Sequence, residues 1–237
     1  MRERYAGATV VLTHARRDDD DLASRLRAAG ARVIELPCVR IERLADVSAL
    51  ARAIAPLGPR DWLAVTSPAG ADAVARVGAP RSPVAAVGPS TAARLAEHGI
   101  AVAFVPSVAT GACLARELPR GEVAVLARSD RALADAPRIL RERGFDVREV
   151  VAYRAAPVAD GDVAAVRAAL AADGTVVIFV SSPSALEGLL GAVEPRLVAR
   201  AQLVVSGPTT LAAVRARLGT RVTTTPRDEE VSHAAHD

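Results

Sequence analysis

The apolar positions of this 237-residue chain follow two alternating rhythms. Short runs rich in β-branched residues recur at Thr9–Thr13 (TVVLT), Trp62–Thr66, Val84–Val87, Glu122–Ala127 (EVAVLA), Val176–Ser181 and Leu203–Val205. Runs of this kind between turn residues predict strands buried on both faces, as in parallel sheets. Between them, apolar residues return every three to four positions. That spacing predicts helices from Asp18 to about Ala29, then Val47–Ala55, Ala69–Val77, Thr91–His98, Gly111–Leu118, Leu133–Arg143 and Val163–Ala172. Gly30, Gly99 and Gly144 stand where helices should close. Val102–Val105, stopped by Pro106, and Val222–Thr225, stopped by Pro226, predict further strands. Ala31–Leu44, interrupted by Pro37, is too long for one simple strand and predicts a strand running into a linker.

The pattern then restarts. Glu122–Ala127 matches the first strand, Leu133–Arg143 the first helix, and Phe145–Pro157 the extended segment after it. Gly30 pairs with Gly144, Ser67-Pro68 with Ser182-Pro183, Gly88 with Gly207, and Pro106 with Pro226. A unit of strand, helix, extended linker and further β/α pairs has been duplicated. Strands alternating with helices predict an α/β protein with parallel sheets covered on both faces. The expected architecture is two lobes joined by a two-segment linker, near Leu36–Ile41 and Val150–Pro157, with a cleft between them.

The strand ends carry the candidate chemistry. Thr175–Ala185 (TVVIFVSSPSA) passes from an apolar strand into Ser181-Ser182-Pro183-Ser184 and a helix, and Asp61–Ala69 (DWLAVTSPA) repeats the phrase. Gly88-Pro89-Ser90-Thr91 and Gly207-Pro208-Thr209-Thr210 form a second pair of turns. Such turns present hydroxyls and unpaired backbone N–H groups at the carboxyl ends of strands, where open α/β sheets bind ligands and where helix N-termini favour anions. The plainer explanation of any one turn is a Ser or Thr N-cap. Four equivalent turns, repeated in both halves, favour a binding site. Tyr153 lies in the second crossing segment, where its phenol would act as a donor or weak general acid. Arg128, just after EVAVLA, is a candidate anion clamp.

Composition narrows the chemistry. Every basic side chain other than histidine is Arg, so a Lys Schiff base, a P-loop lysine and a Lys base are excluded. The formal charge is +3 and aromatic residues make up 3%, which gives no support to nucleic-acid binding. Cys38 and Cys113 are too far apart in sequence for a disulfide framework or zinc motif and are expected to be buried or semi-buried thiols. His233 and His236 alone have metal-ligand spacing, in a polar tail; no metal site is expected. Asp18–Asp21 has the look of a response-regulator acidic pocket, but first-turn acids are commonly caps and the partner lysine is missing. No G-x-G-x-x-G, G-x-S-x-G or H-E-x-x-H motif occurs. Catalysis would therefore rest on holding a reactive substrate in a chosen geometry. The charges of MRERYAGATVVLTHARR sit too close to a short strand-like run for a signal peptide, and no apolar run approaches the ~20 residues that span a bilayer. A soluble cytoplasmic protein is expected, without membrane contact, and a monomer, since no helix shows an obvious exposed apolar stripe.

The chain resembles the uroporphyrinogen-III synthase family over about residues 8 to 226. The resemblance rests on Thr66-Ser67-Pro68, Val87-Gly88-Pro89-Ser90-Thr91-Ala92, Tyr153, Phe179-Val180-Ser181-Ser182-Pro183-Ser184 and Ser206-Gly207-Pro208-Thr209-Thr210, in that order. It implies two flavodoxin-like lobes, one of residues 1–37 and 155–237, the other of 38–154. It implies cyclisation of hydroxymethylbilane without a cofactor, through loss of water and inversion of the terminal ring, and a transient contact with the upstream deaminase. By resemblance Tyr153 assists loss of the hydroxyl. Thr66, Ser67, Thr91, Arg128, Ser181, Ser182, Ser184, Thr209 and Thr210 are the expected substrate-binding residues. The chain departs from the family pattern at Thr13-His14-Ala15 after the first strand and at Ala69 after Ser67-Pro68. The competing expectation is a non-catalytic regulatory module of the same fold that binds a tetrapyrrole or another anion. A two-lobed sugar- or amino-acid-binding protein is disfavoured by the lack of stacking aromatics.

Overall fold

In the computed structural model, residues 2–15, 22–219 and 224–226 are described. The Asp18–Asp21 run, His233, His236 and the chain after Pro226 lie outside them. The strands are β1 (Thr9–Leu12), β2 (Arg32–Glu35), β3 (Val39–Arg43), β4 (Trp62–Val65), β5 (Val84–Ala86), β6 (Val123–Ser129), β7 (Asp146–Pro157), β8 (Val176–Val180), β9 (Gln202–Val205) and β10 (Thr224–Pro226). They form two five-stranded sheets, β10-β9-β8-β1-β2 and β3-β7-β6-β4-β5. Pairing is parallel throughout the first sheet and along β7-β6-β4-β5 of the second. The chain divides into two compact units, Met1–Arg40 with Ala156–Asp237, and Ile41–Ala155.

The burial of the strands explains the apolar runs. Every residue of β4, β5 and β8 is buried, as strands covered by helices on both faces require. In the first unit Val10, Leu12, Val177, Phe179 and Val204 pack with Tyr5 and Leu26. In the second, Trp62, Ala64, Ala85, Leu126 and Phe145 pack with Leu114, Leu118, Ile139 and Leu140. No described helix is long and apolar enough to cross a membrane.

Each sheet has one place where its connections diverge. In the first unit the chain moves outward from β1 to β2 on one side and from β8 to β9 to β10 on the other. In the second it moves from β6 to β7 on one side and from β4 to β5 on the other. β1/β8 and β6/β4 are therefore topological switch points. Helices lead away from a switch point in opposite directions and leave a crevice beyond the strand ends.

Helices begin after two turn residues beyond the strands, at Pro68, Pro89, Pro183 and Pro208. Proline suits the first helical position because its missing N–H would have no intrahelical partner there. Two short helices, Arg2–Tyr5 and Pro195–Val198, carry no period long enough to be seen in sequence. The expected strand Val102–Val105 is reduced to a single parallel bridge, Ala85 with Phe104. Ala86 N–H donates to Phe104 O (2.9 Å) and Ala103 N–H to Val84 O (2.8 Å). The segment lies beside three-residue β5, with Ala101, Ala103 and Val105 exposed and Pro106 following. Phe104 instead packs edge-on against Trp62.

The expected extended stretch Ala31–Leu44 is two strands separated by Leu36-Pro37-Cys38. Leu36 N–H donates to Leu12 O (2.9 Å) and Cys38 N–H to Thr13 O (3.0 Å), so the segment stays bonded to the end of β1. Helix Pro183–Ala192 packs on this crossing through Gly188. A Cβ there would collide with the backbone oxygens of Cys38 and Val158. Gly188→Ala should destabilise the protein by roughly 1–3 kcal/mol or more, as overpacking against backbone does. Gly191→Ala, on the same helix with open space at its Cβ, should be neutral or stabilising by up to ~1 kcal/mol. Denaturant midpoints of the two variants measure the difference.

Candidate functional site

In the Ile41–Ala155 unit the hydroxyls gather at the β4/β6 switch point. β4 ends at Val65, and Ser67 adopts an extended backbone (φ −169°, ψ 160°) that aims its Oγ back at the helix, where it accepts from Gly70 N–H at 3.0 Å. Thr66 Oγ1 donates to Ala127 O at 3.4 Å and ties the turn to β6. β6 ends in Ser129, and an irregular register between Arg128 and Ser129 sets Ser129 opposite Tyr153 of β7.

Tyr153 is only 9% exposed. Burial pushes its phenol pKa up, hydrogen bonding by Ser67 and Ser129 pulls it down, and the charge of Asp130 adds to the rise; the net direction is up. The group is therefore a protonated phenol at neutral pH, influenced by two neighbouring hydroxyls, and it can donate a proton. Asp130 is fixed in turn: its N–H donates to Tyr153 O at 3.3 Å and its Oδ1 accepts from Ala155 N–H at 3.1 Å.

Arg128 is 5% exposed, and its guanidinium is already committed. Nη1 meets Glu149 Oε2 at 2.8 Å, and Nη2 donates to Leu133 O. Arg141 reaches the other oxygen of Glu149 at 2.8 Å. The side chain expected to clamp an anion thus holds the 129–134 loop in place, which bears Ser129 and Asp130.

The first unit gathers hydroxyls at its β1/β8 switch point in the same way. Thr13 Oγ1 donates to Phe179 O at 2.7 Å and accepts from Ser181 N–H at 3.4 Å. Ser206 Oγ donates to Ser181 O at 2.7 Å and shares a hydrogen bond with Thr210 Oγ1 at 3.0 Å. Ser182 caps helix Pro183–Ala192, accepting from Ala185 N–H at 3.1 Å. Ser181 Oγ is buried without a hydrogen-bond partner among the described residues. Ser184 and Thr209 are half-buried in the first turns of their helices, and Thr210 is buried. Thr91 is buried in the first turn of helix Pro89–Glu97. That helix and Pro208–Leu218 start at Gly88 and Gly207, with no side chain capping their first N–H groups.

Ser67 and Ser182 are N-caps, and Ser67 in addition touches the phenol. Sequence reasoning did not single out Thr13, Ser129, Asp130 or Ser206. Thr13 ends a predicted strand and Ser206 directly follows one, whereas Ser129 and Asp130 lie two and three residues past the predicted end of Glu122–Ala127, and the structure extends that strand to Ser129. Cys38 is buried, its thiol pushed up to about 12, and donates to Leu36 O at 3.1 Å. Cys113 donates to Glu117 Oε1 at 3.0 Å. Among the described residues no group of three or more His, Cys, Asp or Glu is placed to hold a metal ion.

The sequence profile of the family described as uroporphyrinogen-III synthase HemD matches residues 20–235. The chain is 30% identical over 195 residues to the chloroplastic uroporphyrinogen-III synthase of Oryza sativa subsp. japonica, covering 76% of this chain and 63% of that protein. It is 32% identical over 122 residues to the uroporphyrinogen-III synthase of Synechococcus elongatus, covering 48% and 46%. The chain thus spans less than two thirds of the length of these curated relatives. Among solved structures, a mutant uroporphyrinogen III synthase of Thermus thermophilus superposes with a TM-score of 0.63 at 20% identity, covering 97% of this chain and 100% of that one. The Helicobacter pylori uroporphyrinogen-III synthetase gives 0.55 at 15% identity, with the same coverage. At these identities the structures speak for the α/β fold, and the profile match over most of its length places the chain in the uroporphyrinogen-III synthase family.

Proposed function

We propose that this protein cyclises hydroxymethylbilane to uroporphyrinogen III with inversion of the terminal ring and loss of water. The observation that carries this reading is Tyr153, a buried, protonated phenol set opposite Ser129 beside a switch point. The C–O bond of the substrate's hydroxymethyl group breaks. Its electron pair leaves on oxygen, which takes the phenol proton and departs as water, while the pyrrole nitrogen lone pair fills the vacancy to give a cationic azafulvene. The terminal ring attacks through a spiro arrangement, opens and recloses with that ring inverted. The ring carbon then loses a proton, which restores the phenol. Atoms balance with one water released and no change of oxidation state, so the reaction calls for no redox cofactor.

The substrate carries eight carboxylates. Thr66, Ser67, Thr91, Ser181, Ser182, Ser184, Thr209 and Thr210, with the uncapped N–H groups beyond Gly88 and Gly207, are the proposed neutral contacts to them. The proposal includes a cytoplasmic monomer that takes its unstable substrate through a transient contact with the deaminase that makes it.

Incubating fresh hydroxymethylbilane with the protein and separating the oxidised porphyrins by isomer should give an excess of type III over the protein-free control. Type I alone, from folded protein, would replace this reading with that of a binding module. Tyr153→Phe should lower turnover roughly 10²-fold, the scale of one general acid, with the melting temperature unchanged. Full turnover in a folded variant removes the phenol from the mechanism.

The phenol should also titrate above the ordinary tyrosine range. Ser67→Ala, which deletes a hydrogen bond favouring the phenolate, should raise that pKa further. The same change should cost about 1 kcal/mol of stability through the lost cap. Ultraviolet difference titration, with Tyr153→Phe to assign the signal, measures the shift; a fall in pKa would mean the contact favours the neutral form.

A further inference from the structure

Within the Ile41–Ala155 unit, Tyr153 borders a pocket of about 270 Å³ lined by β3, β7 and the helices Pro68–Ala75 and Pro89–Glu97. None of its charged residues belongs to the hydroxyl clusters described above. Three guanidiniums, of Arg43, Arg76 and Arg94, face a single carboxylate, Asp72.

Their partners differ. Arg94 is neutralised: Nε meets Asp72 Oδ1 at 2.5 Å and Nη1 meets Glu97 Oε2 at 2.6 Å. Asp72 also receives His98 Nε2 at 2.8 Å. Burial pushes the Asp72 carboxyl up, but hydrogen bonds from Arg94 and His98 outweigh it, so the group stays ionised and fully used. Arg76 donates to Leu44 O at 2.6 Å and Ala45 O at 3.1 Å; carbonyls fix its direction without cancelling its charge. The Arg43 guanidinium makes no side-chain hydrogen bond or ion pair among the described residues, and the residue is exposed. Two uncompensated guanidiniums therefore flank a small pocket whose remaining lining is Ile41 and alanines. Arginine is the side chain suited to bidentate contact with a carboxylate. The volume falls below the ~300–1,000 Å³ of sites that enclose a whole drug-sized ligand, so it fits one pyrrole ring or its side arm.

We infer that this pocket is a carboxylate subsite in which Arg43 and Arg76 hold an acidic side arm of one pyrrole ring beside Tyr153. The inference rests on the proposed tetrapyrrole substrate for the identity of the ring and on the charge balance of the pocket for the carboxylate. Arg43 and Arg76 are specificity residues here, and the phenol remains the proton donor.

The test is calorimetric titration of the full chain with a monopyrrole bearing one acetate and one propionate arm, and with its diester. The wild-type protein should bind the diacid saturably and the diester far more weakly. Arg43→Gln should weaken diacid binding ~10-fold, as loss of one charged hydrogen-bonding contact does. Arg60→Gln, which removes only the surface pair with Glu122, should change nothing. Arg43 supports no other residue, so its variant should melt with the wild type. Arg76→Gln also loses two carbonyl contacts and is interpreted only beside its melting temperature.

Equal affinity in wild type and Arg43→Gln, absent binding, or equal binding of diester and diacid overturns the subsite. If the porphyrin is type I only but the diacid still binds through Arg43, the cyclase reading fails and the subsite stands. If type III forms and Arg43→Gln alters neither diacid affinity nor KM, the subsite fails and the cyclase stands.

Discussion

The constraint on which the structure depends is the splaying of connections at two switch points. A parallel sheet buried on both faces satisfies its interior backbone through its ladders, but where β1 meets β8 and β4 meets β6 the covering helices depart in opposite directions. Carbonyls and amides just past the ladder must still be paired, since folded chains almost never leave buried backbone groups without partners. Hydroxyls reinforce the backbone there: Thr13 Oγ1 joins its own N–H on Phe179 O, Thr66 Oγ1 joins its own N–H on Ala127 O, and Ser206 Oγ donates to Ser181 O. The hydroxyls that reinforce the backbone sit at the strand ends, so the fold's requirement and the proposed site's chemistry call for the same residue types.

Neutral groups also suit the reaction proposed. A permanent cation in the proton donor's own place would oppose the positive charge that develops as the azafulvene forms. A phenol supplies a proton and becomes the anion that such a cation needs nearby. Burial alone would make Tyr153 too weak an acid, and Ser67 and Ser129 offset part of that cost by favouring the phenolate. Ser67 is held for this duty by its cap to Gly70 N–H, and Ser129 by the loop that Arg128 ties to Glu149 and Leu133. The proton donor is thus itself neutral, and its acidity is set by burial, the two neighbouring hydroxyls and the charge of Asp130.

Much of this was legible in the chain. β1, β4, β6 and β8 announce themselves because strands buried on both faces leave unbroken apolar runs, and the Ser-Pro and Gly-Pro turns mark helix starts because caps are local chemistry. What failed to read was tertiary. Val102–Val105 has the composition of a strand, yet at the margin of a sheet beside a three-residue strand it forms only one bridge. Arg128 looks like a clamp from its place after β6, and only the fold shows Glu149 arriving from β7 to neutralise it. Ser129 has no distinguishing sequence context, because its partner Tyr153 is reached through sheet register.

The sequence repeat and the folding unit are different objects. The first sequence half gives β1 and β2 to one sheet and β4 and β5 to the other, and the second half completes both with β8, β9 and β10, and with β6 and β7. Neither half can close a sheet alone. The two sheets also differ in how far apart in the chain their central pairings lie: 61 residues separate Thr66 from Ala127, whereas 166 separate Thr13 from Phe179. The direct entropic difference between closing such loops is small, about 1 kcal/mol. The order of events matters more. Ile41–Ala155 is contiguous and can form first. Once it does, β3 lies beside β7, and the segments that leave the unit at Arg40 and Ala156 begin next to each other. Closing the contiguous unit would bring together the two ends of the chain that lead to β1 and β8, and so shorten the loop that their pairing has to close.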